Sequence, residues 1–250
     1  MFEDADEPTK GPTPAPVNLL GLQLGEWLRE LIYEGSATMP RSMQRSIGMS
    51  EVGGDCDREI AYKLAGTTPT RFDDDPMVTI VGTGIHLVLA DMFRRIDNGR
   101  GRWLIEHPVE YMGIPGSADA YDRRKRLLID WKSTAKAKIR RIAKDGPPRR
   151  YIVQAQLYAQ ALRQIGEDPQ QIAIVYLARD GGLVDLLVWP IPVDKDVADA
   201  AVARMNDIKK TLEVKNAGSI PATPSSLCGW CDYCQPGSTN LNVGCPGKAA

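Results

Sequence analysis

Long apolar runs are missing from this chain of 250 residues. None approaches the ~20 consecutive apolar residues that a bilayer-spanning helix needs, so no membrane partner is expected. An excess of charge of one sign is missing as well. Lys and Arg total 31 against 32 Asp and Glu, for a net charge of −1, which excludes a polybasic molecule and makes any polyanion-binding surface local. The first residues lack the basic and apolar regions of a secretion signal, and the chain is expected to be cytoplasmic. No Gly-x-x-x-x-Gly-Lys-Ser/Thr loop occurs, so no nucleotide-driven motor is expected within these residues. Cysteines are few, five in all, yet three fall between Cys228 and Cys234, a clustering that suits metal ligands better than a disulfide framework. At 43% hydrophobic and 25% charged, the remainder is ordinary for a globular protein.

Residues 1–17 combine Glu3, Asp4, Asp6 and Glu7 with Pro8, Pro12, Pro14 and Pro16, and read as a disordered acidic, proline-rich tail. A single domain over 18–250 is expected to follow: a helical part over 18–75, a core over 76–215 and a cysteine segment over 216–250. Leu20, Leu24, Trp27, Leu28 and Leu31 recur at helical spacing, as in a core-packing helix over Leu19 to Tyr33. Met77 to Ile96 reads as a long apolar helix interrupted by His86, with Gly82 and Ala90 one turn to either side leaving room for a ligand. Arg94, Arg95, Arg100 and Arg102 then either track phosphates or face water. Arg58, after the loop Gly53-Gly54-Asp55 and Cys56, is a candidate phosphate contact.

Gly116 to Lys132 reads as a β-hairpin whose turn is the charged segment Asp122 to Lys125. Pairing Tyr121 with Arg126 sets Asp119 opposite Leu128, two residues from Asp130 and four from Lys132. Side chains alternate along a strand, so Asp119, Asp130 and Lys132 share one face, and a slip of one residue would separate them. Two converging carboxylates call for a counter-charge, and a hard cation such as magnesium or manganese supplies one. With Lys132 alongside, the arrangement suits metal-assisted phosphodiester hydrolysis. The alternative reading is a surface hairpin carrying a solvated ion pair.

Lys136, Lys138, Arg140, Arg141, Lys144, Arg149 and Arg150 follow with the single acid Asp145, and form the best backbone-binding candidate for a polyanion. Tyr151 to Ile165 is expected as a helix bearing Gln154 and Tyr158 one turn apart. Ile172 to Ala178 and Leu183 to Trp189 read as strands joined by Arg179-Asp180-Gly181-Gly182, and Val193 to Val214 as a helix. Cys228-x-x-Cys231, Cys234 and Cys245 fit either tetrahedral zinc or a four-iron cluster by spacing.

The order Cys56, His86, Gly116-x-x-Asp119, Asp130-x-Lys132, Gln154-x-x-x-Tyr158, Cys228-x-x-Cys231 and a late cysteine resembles the RecB-type nucleases of the PD-(D/E)xK superfamily. It is most similar to their iron–sulfur members, which include the AddB nuclease domain, the CRISPR-associated (Cas-four-like) adaptation nucleases and stand-alone phage exonucleases. The resemblance spans roughly residues 50 to 246. It implies a restriction-endonuclease-like α/β fold, a central mixed sheet flanked by helices with a C-terminal cluster segment. It also implies a metal-dependent DNA exonuclease, acting on single strands or resected ends in recombination, repair or phage replication. The setting would be a bacterial or phage-infected cell, where a separate helicase or recombination protein would be a partner.

By that resemblance His86, Asp119, Asp130 and the carbonyl of Trp131 hold Mg2+ or Mn2+, Lys132 is the catalytic lysine, and Gln154 and Tyr158 are accessory. Cys56, Cys228, Cys231 and Cys245 would hold a structural 4Fe-4S cluster. Two departures stand out. Asp130 replaces the Glu of the superfamily name, which a hard cation accepts equally. Gly237 stands where such proteins place the fourth thiolate, so Cys234 or Cys245 must serve, and the flexibility of the intervening loop favours Cys245. A non-catalytic, zinc-containing nucleic-acid-binding protein and an endonuclease on the same fold are the rival expectations.

Overall fold

In a computed structural model, residues 19–39, 46–70 and 75–248 are described. The tail expected over 1–17 lies outside them. The chain divides into two units, Met1–Met43 and Gln44–Ala250. In the first, helix α1 (Leu19–Ala37) leaves Leu20, Leu24, Trp27, Leu28 and Leu31 exposed. Within its own unit, therefore, this stripe does not pack in the core expected of it. An apolar helix face is buried only against another element, and α1 is the one element described in its unit.

The second unit runs α2 (Met49–Val52), α3 (Asp57–Leu64), α4 (Met77–Asp97), β1 (Trp103–Tyr111), β2 (Ile114–Asp122), β3 (Leu127–Thr134), α5 (Lys136–Asp145), α6 (Arg149–Gln164), β4 (Gln171–Ala178), β5 (Leu187–Pro192) and α7 (Lys195–Leu212). Its five strands lie in the order β1-β2-β3-β4-β5. All neighbouring pairs are antiparallel except β3 with β4, which α5 and α6 join by the crossover that a parallel pair requires. The expected mixed sheet flanked by helices is what forms. Both edge strands carry proline, Pro108 in β1 and Pro190 and Pro192 in β5, where a missing N–H costs no central ladder bond.

Helices cover both faces of the sheet. Leu128, Ile172, Ile174 and Tyr176 pack with Leu157, Leu162 and Met205 of α6 and α7 in the larger core. On the other face Ala120, Ile129, Trp131, Ala173 and Val175 meet Leu89 and Phe93 of α4. Helix α4 is, by length and composition alone, apolar enough to cross a bilayer, which the sequence reading underestimated. Here it lies along β1 to β3, closed by Asn98 in the left-handed conformation.

Three local expectations change. Strand β1 was not foreseen, because Pro108 and a break at Glu106 obscure its alternation. Residues Leu183–Asp185 form a 3-10 turn with Leu183 and Val184 exposed, so the fifth strand starts at Leu187. The β2–β3 register pairs Tyr121 with Leu128, two residues from the register expected. A shift of two keeps every side chain on its face, so the convergence of Asp119, Asp130 and Lys132 survives.

Candidate active site

Two interruptions of the sheet create the site. The β2–β3 ladder runs from Asp122–Leu127 to Ala120–Ile129 and ends there, leaving Asp119 and Asp130 where the strands part. In the β1–β2 ladder the pairs Ile105–Ala120 and His107–Ala118 bracket an unpaired step at Glu106 and Asp119. Glu106 has φ +46°, a left-handed conformation that costs a non-glycine residue roughly 1–2 kcal/mol and here re-aims a carboxylate. Backbone bonds given up at this fork are replaced by side chains: the Trp131 N–H donates to Asp119 Oδ2 at 2.7 Å.

His86 reaches the fork from α4, with Nδ1 3.5 Å from both Glu106 Oε1 and Asp119 Oδ1. His86, Glu106 and Asp119 each place a ligand atom within 4.8 Å of the others, and among the described residues they form the one such group of three. Hydrogen bonding to Asp119, then to Glu106, raises the imidazole from its ordinary value to about 10. A positive charge is thus demanded between these carboxylates, and the proton on His86 supplies it where a divalent cation would otherwise do so.

Asp130 is fully buried, and burial pushes its carboxyl upward while Lys132 opposes the shift. Lys132 Nζ donates to Asp130 Oδ1 at 2.9 Å. It also lies 2.7 Å from Oδ2, in a position too oblique for a hydrogen bond, so Oδ2 keeps a buried lone pair without a directed donor. Gln154 Oε1 accepts from Lys132 Nζ at 3.1 Å, and Gln154 Nε2 donates to Tyr158 Oη at 2.8 Å. The ammonium also sits 4.8 Å over the ring of Tyr151. Gly116 permits α6 to approach this closely, because a Cβ there would lie 2.6 Å from Tyr158 Cε1 and 2.9 Å from Met49 Sδ.

The residues singled out in sequence therefore meet: His86, Asp119, Asp130, Lys132, Gln154 and Tyr158 form one connected constellation. Glu106 and Tyr151 were missed. Glu106 lies in the strand that went unread, and Tyr151 precedes Gln154 by almost one helical turn, a spacing that could have drawn attention to it. Helix α5 starts just after β3 and exposes Lys138, Arg140, Arg141 and Lys144 while burying Ile139. Arg102 instead pairs through two nitrogens with buried Asp122, and Arg95 pairs with Asp91 on the surface, so these two arginines have structural partners.

A second constellation forms beside α3. Cys56, Cys228, Cys231, Cys234 and Cys245 all line one pocket, joining residues distant in sequence. The Cys245 N–H donates to Tyr233 O at 2.8 Å, Tyr62 Oη donates to Leu241 O at 2.6 Å, and the Thr70 N–H donates to Asp232 O at 2.8 Å. The Thr223 N–H points at Cys56 Sγ at 3.5 Å and the Ser225 N–H at Cys228 Sγ at 3.3 Å. Burial, then Glu59, pushes the Cys231 thiol up to about 12. A thiol-only donor set of this kind fits a soft metal or an iron–sulfur group, which would supply the compensating positive charge. Arg58 points into this pocket, not toward a phosphate track, which corrects its expected role.

A mixed sheet forking at two acids and a lysine, with helices on both faces, is the arrangement of metal-dependent phosphodiesterases of the restriction-endonuclease-like class. The PD-(D/E)XK nuclease superfamily model matches residues 78–235, more than half of the chain, and the protein belongs to that superfamily. Its members use divalent metal ions. No curated protein matches the chain. Among solved structures it is similar to SSO0001, with a TM-score of 0.52 and 19% identity over 91% of this chain and 98% of that one. It is also similar to the alkaline exonuclease LHK-Exo of Laribacter hongkongensis, with a TM-score of 0.48 and 16% identity over 69% of this chain and 90% of that one. A phage-related exonuclease of Haemophilus somnus gives a TM-score of 0.42 and 16% identity over 62% and 78%.

Proposed function

We propose that the protein is a metal-dependent DNA exonuclease acting on single-stranded or resected ends. The observation that carries this reading is the convergence of His86, Glu106 and Asp119 on one point beside Asp130 and Lys132, at the fork of the sheet. A bound Mg2+ or Mn2+ would lower the pKa of a water and polarise the scissile phosphate. His86, Asp119 and Asp130 would hold it, with Glu106 added to the set inferred from sequence. The Trp131 carbonyl joins them because, in an extended strand, it points to the same side as the N–H that meets Asp119.

Lys132, fixed by Asp130, Gln154 and the Tyr151 ring, orients the attacking water and offsets charge developing on the phosphate. Tyr158 holds Gln154 in place. The exposed cations of α5 guide the strand, and their contribution should weaken with salt. Any unwinding of duplex falls to a separate helicase or recombination partner, in the cytoplasm of a bacterial or phage-infected cell. The catalytic core we assign is 76–215, within a nuclease domain that also takes in the cysteine segment.

We further propose that Cys56, Cys228, Cys231 and Cys245 hold a 4Fe-4S cluster with a structural role. Four thiolates accept either tetrahedral zinc or a four-iron cluster, and the likeness of this cysteine order to that of the iron–sulfur nucleases supports the cluster. Cys245 is preferred to Cys234 because it is buried in the pocket where Cys234 is partly exposed, and the loop that carries it is long enough to bring it there.

The test compares wild type with Lys132→Ala on linear and covalently closed DNA, with Mg2+ or Mn2+ and after chelation. Metal-dependent loss of linear DNA is expected, with the variant slowed roughly 10²- to 10⁴-fold while still binding DNA. Equal cleavage of closed circles would make the enzyme an endonuclease, and unchanged cleavage by Lys132→Ala would remove the site. Iron, sulfide and absorbance near ~400 nm report the cluster independently.

A further inference from the structure

Arg58, in the first turn of α3 two residues after Cys56, is turned inward. Its Nε donates to Ile220 O at 2.8 Å and its Nη1 to Cys245 Sγ at 3.6 Å. The charged side chains lining the thiol pocket are Asp55, Glu59 and Arg58, so Arg58 is the one cation there among the described residues. Four thiolates gathered beside two acids are costly to desolvate without an opposing charge. A guanidinium anchored to a backbone carbonyl supplies that charge in a fixed position, and its planar fork spans the two acceptors in a way a flexible ammonium does not.

We propose that Arg58 is the charge-compensating residue of the cysteine pocket, governing how firmly the thiolates keep their metal group and raising the potential at which that group takes up an electron. This rests on the iron–sulfur reading of the pocket. Hydrogen bonds to the ligating sulfurs and the net charge around them are the levers a protein has over such a potential, and Arg58 acts on both. Reduction by one electron adds one negative charge beside Arg58. Removing the guanidinium therefore penalises the reduced form more than the oxidised one.

Wild type, Arg58→Gln and Arg58→Lys, purified without oxygen, are to be compared by iron release to EDTA and by the midpoint of a dithionite titration, with thermal unfolding followed in parallel. The expected result for Arg58→Gln is a lower midpoint and about tenfold or more faster iron loss. Arg58→Lys should restore the midpoint, since it keeps the charge, while losing iron at an intermediate rate. Iron loading lost in Arg58→Gln and regained in Arg58→Lys would also support the assignment, and loading regained in neither would overturn it. An iron-bearing Arg58→Gln protein with wild-type midpoint and wild-type release overturns the role of Arg58 and leaves the cluster standing, even where its unfolding temperature falls. A wild type without metal on its cysteines overturns both. Zinc in the wild type overturns the cluster and transfers the release comparison to zinc, where equal loss from Arg58→Gln overturns the assignment.

Discussion

At the scale of single residues, Glu106 carries the most information. It holds a left-handed backbone in the middle of a strand, and it turns its carboxylate onto the atoms that His86 and Asp119 also face. Local strain of this kind persists only where its surroundings enforce it. If Glu106 belongs to the metal shell, Glu106→Gln should lower the apparent affinity for Mn2+ by about tenfold or more, read from the metal dependence of cleavage and from direct titration. Wild-type metal dependence in that variant would exclude it from the shell. Lys132 is constrained differently. An anion, an amide oxygen and an aromatic face surround its ammonium, so its position is set before substrate arrives.

At the scale of elements, the β2–β3 hairpin is held at its closed end by Asp122, whose buried carboxylate meets two nitrogens of Arg102 and the N–H groups of Arg124 and Lys125. The Arg102 guanidinium holds the Asp122 carboxyl below its ordinary range. The stabilisation is therefore fully present above the unfolded carboxyl value, ~3.9, and is lost as pH falls through the lower folded value. Asp122→Asn should cost about 2–3 kcal/mol at neutral pH, with the gap to wild type closing in acid, as denaturant melts at several pH values would measure. A gap that does not vary with pH would contradict this account.

The hairpin was legible in sequence because its signals are local: alternation, a charged turn, and acids spaced to share a face. Its register was two residues off because Leu127, Leu128 and Ile129 fit neighbouring pairings almost equally well. What closed the site from outside the hairpin was not legible in β1, since Pro108 and Glu106 break the periodicity on which strand recognition depends. The three cysteines of 228–234 were legible as a group by their clustering, and all five line one pocket. Their junction with Cys56 was carried by the family resemblance, because no periodicity links residues so far apart, and the apolar repeat of α1 pointed to a core that its unit does not provide.

At the scale of the molecule, the second unit has two centres built on different principles. One is a fork in a sheet that concentrates carboxylate oxygens, and the other is a clasp of loops and a helix that concentrates sulfur. If the clasp holds a metal group, Cys56→Ser should lower the unfolding temperature by several degrees and open the 226–248 segment to proteases, while far-ultraviolet circular dichroism of the sheet and its helices persists. Unchanged protease resistance would show that packing of Tyr62 against Tyr233, whose rings lie 5.1 Å apart, suffices without metal. The clasp also has a consequence for how the protein matures. Arg58 and Cys245 are separated by 187 positions, so the pocket cannot close on a growing chain until the whole segment through Cys245 has left the ribosome. The sheet and its carboxylates can assemble beforehand, so a metal group on the thiols would be inserted only after the carboxylate site has formed.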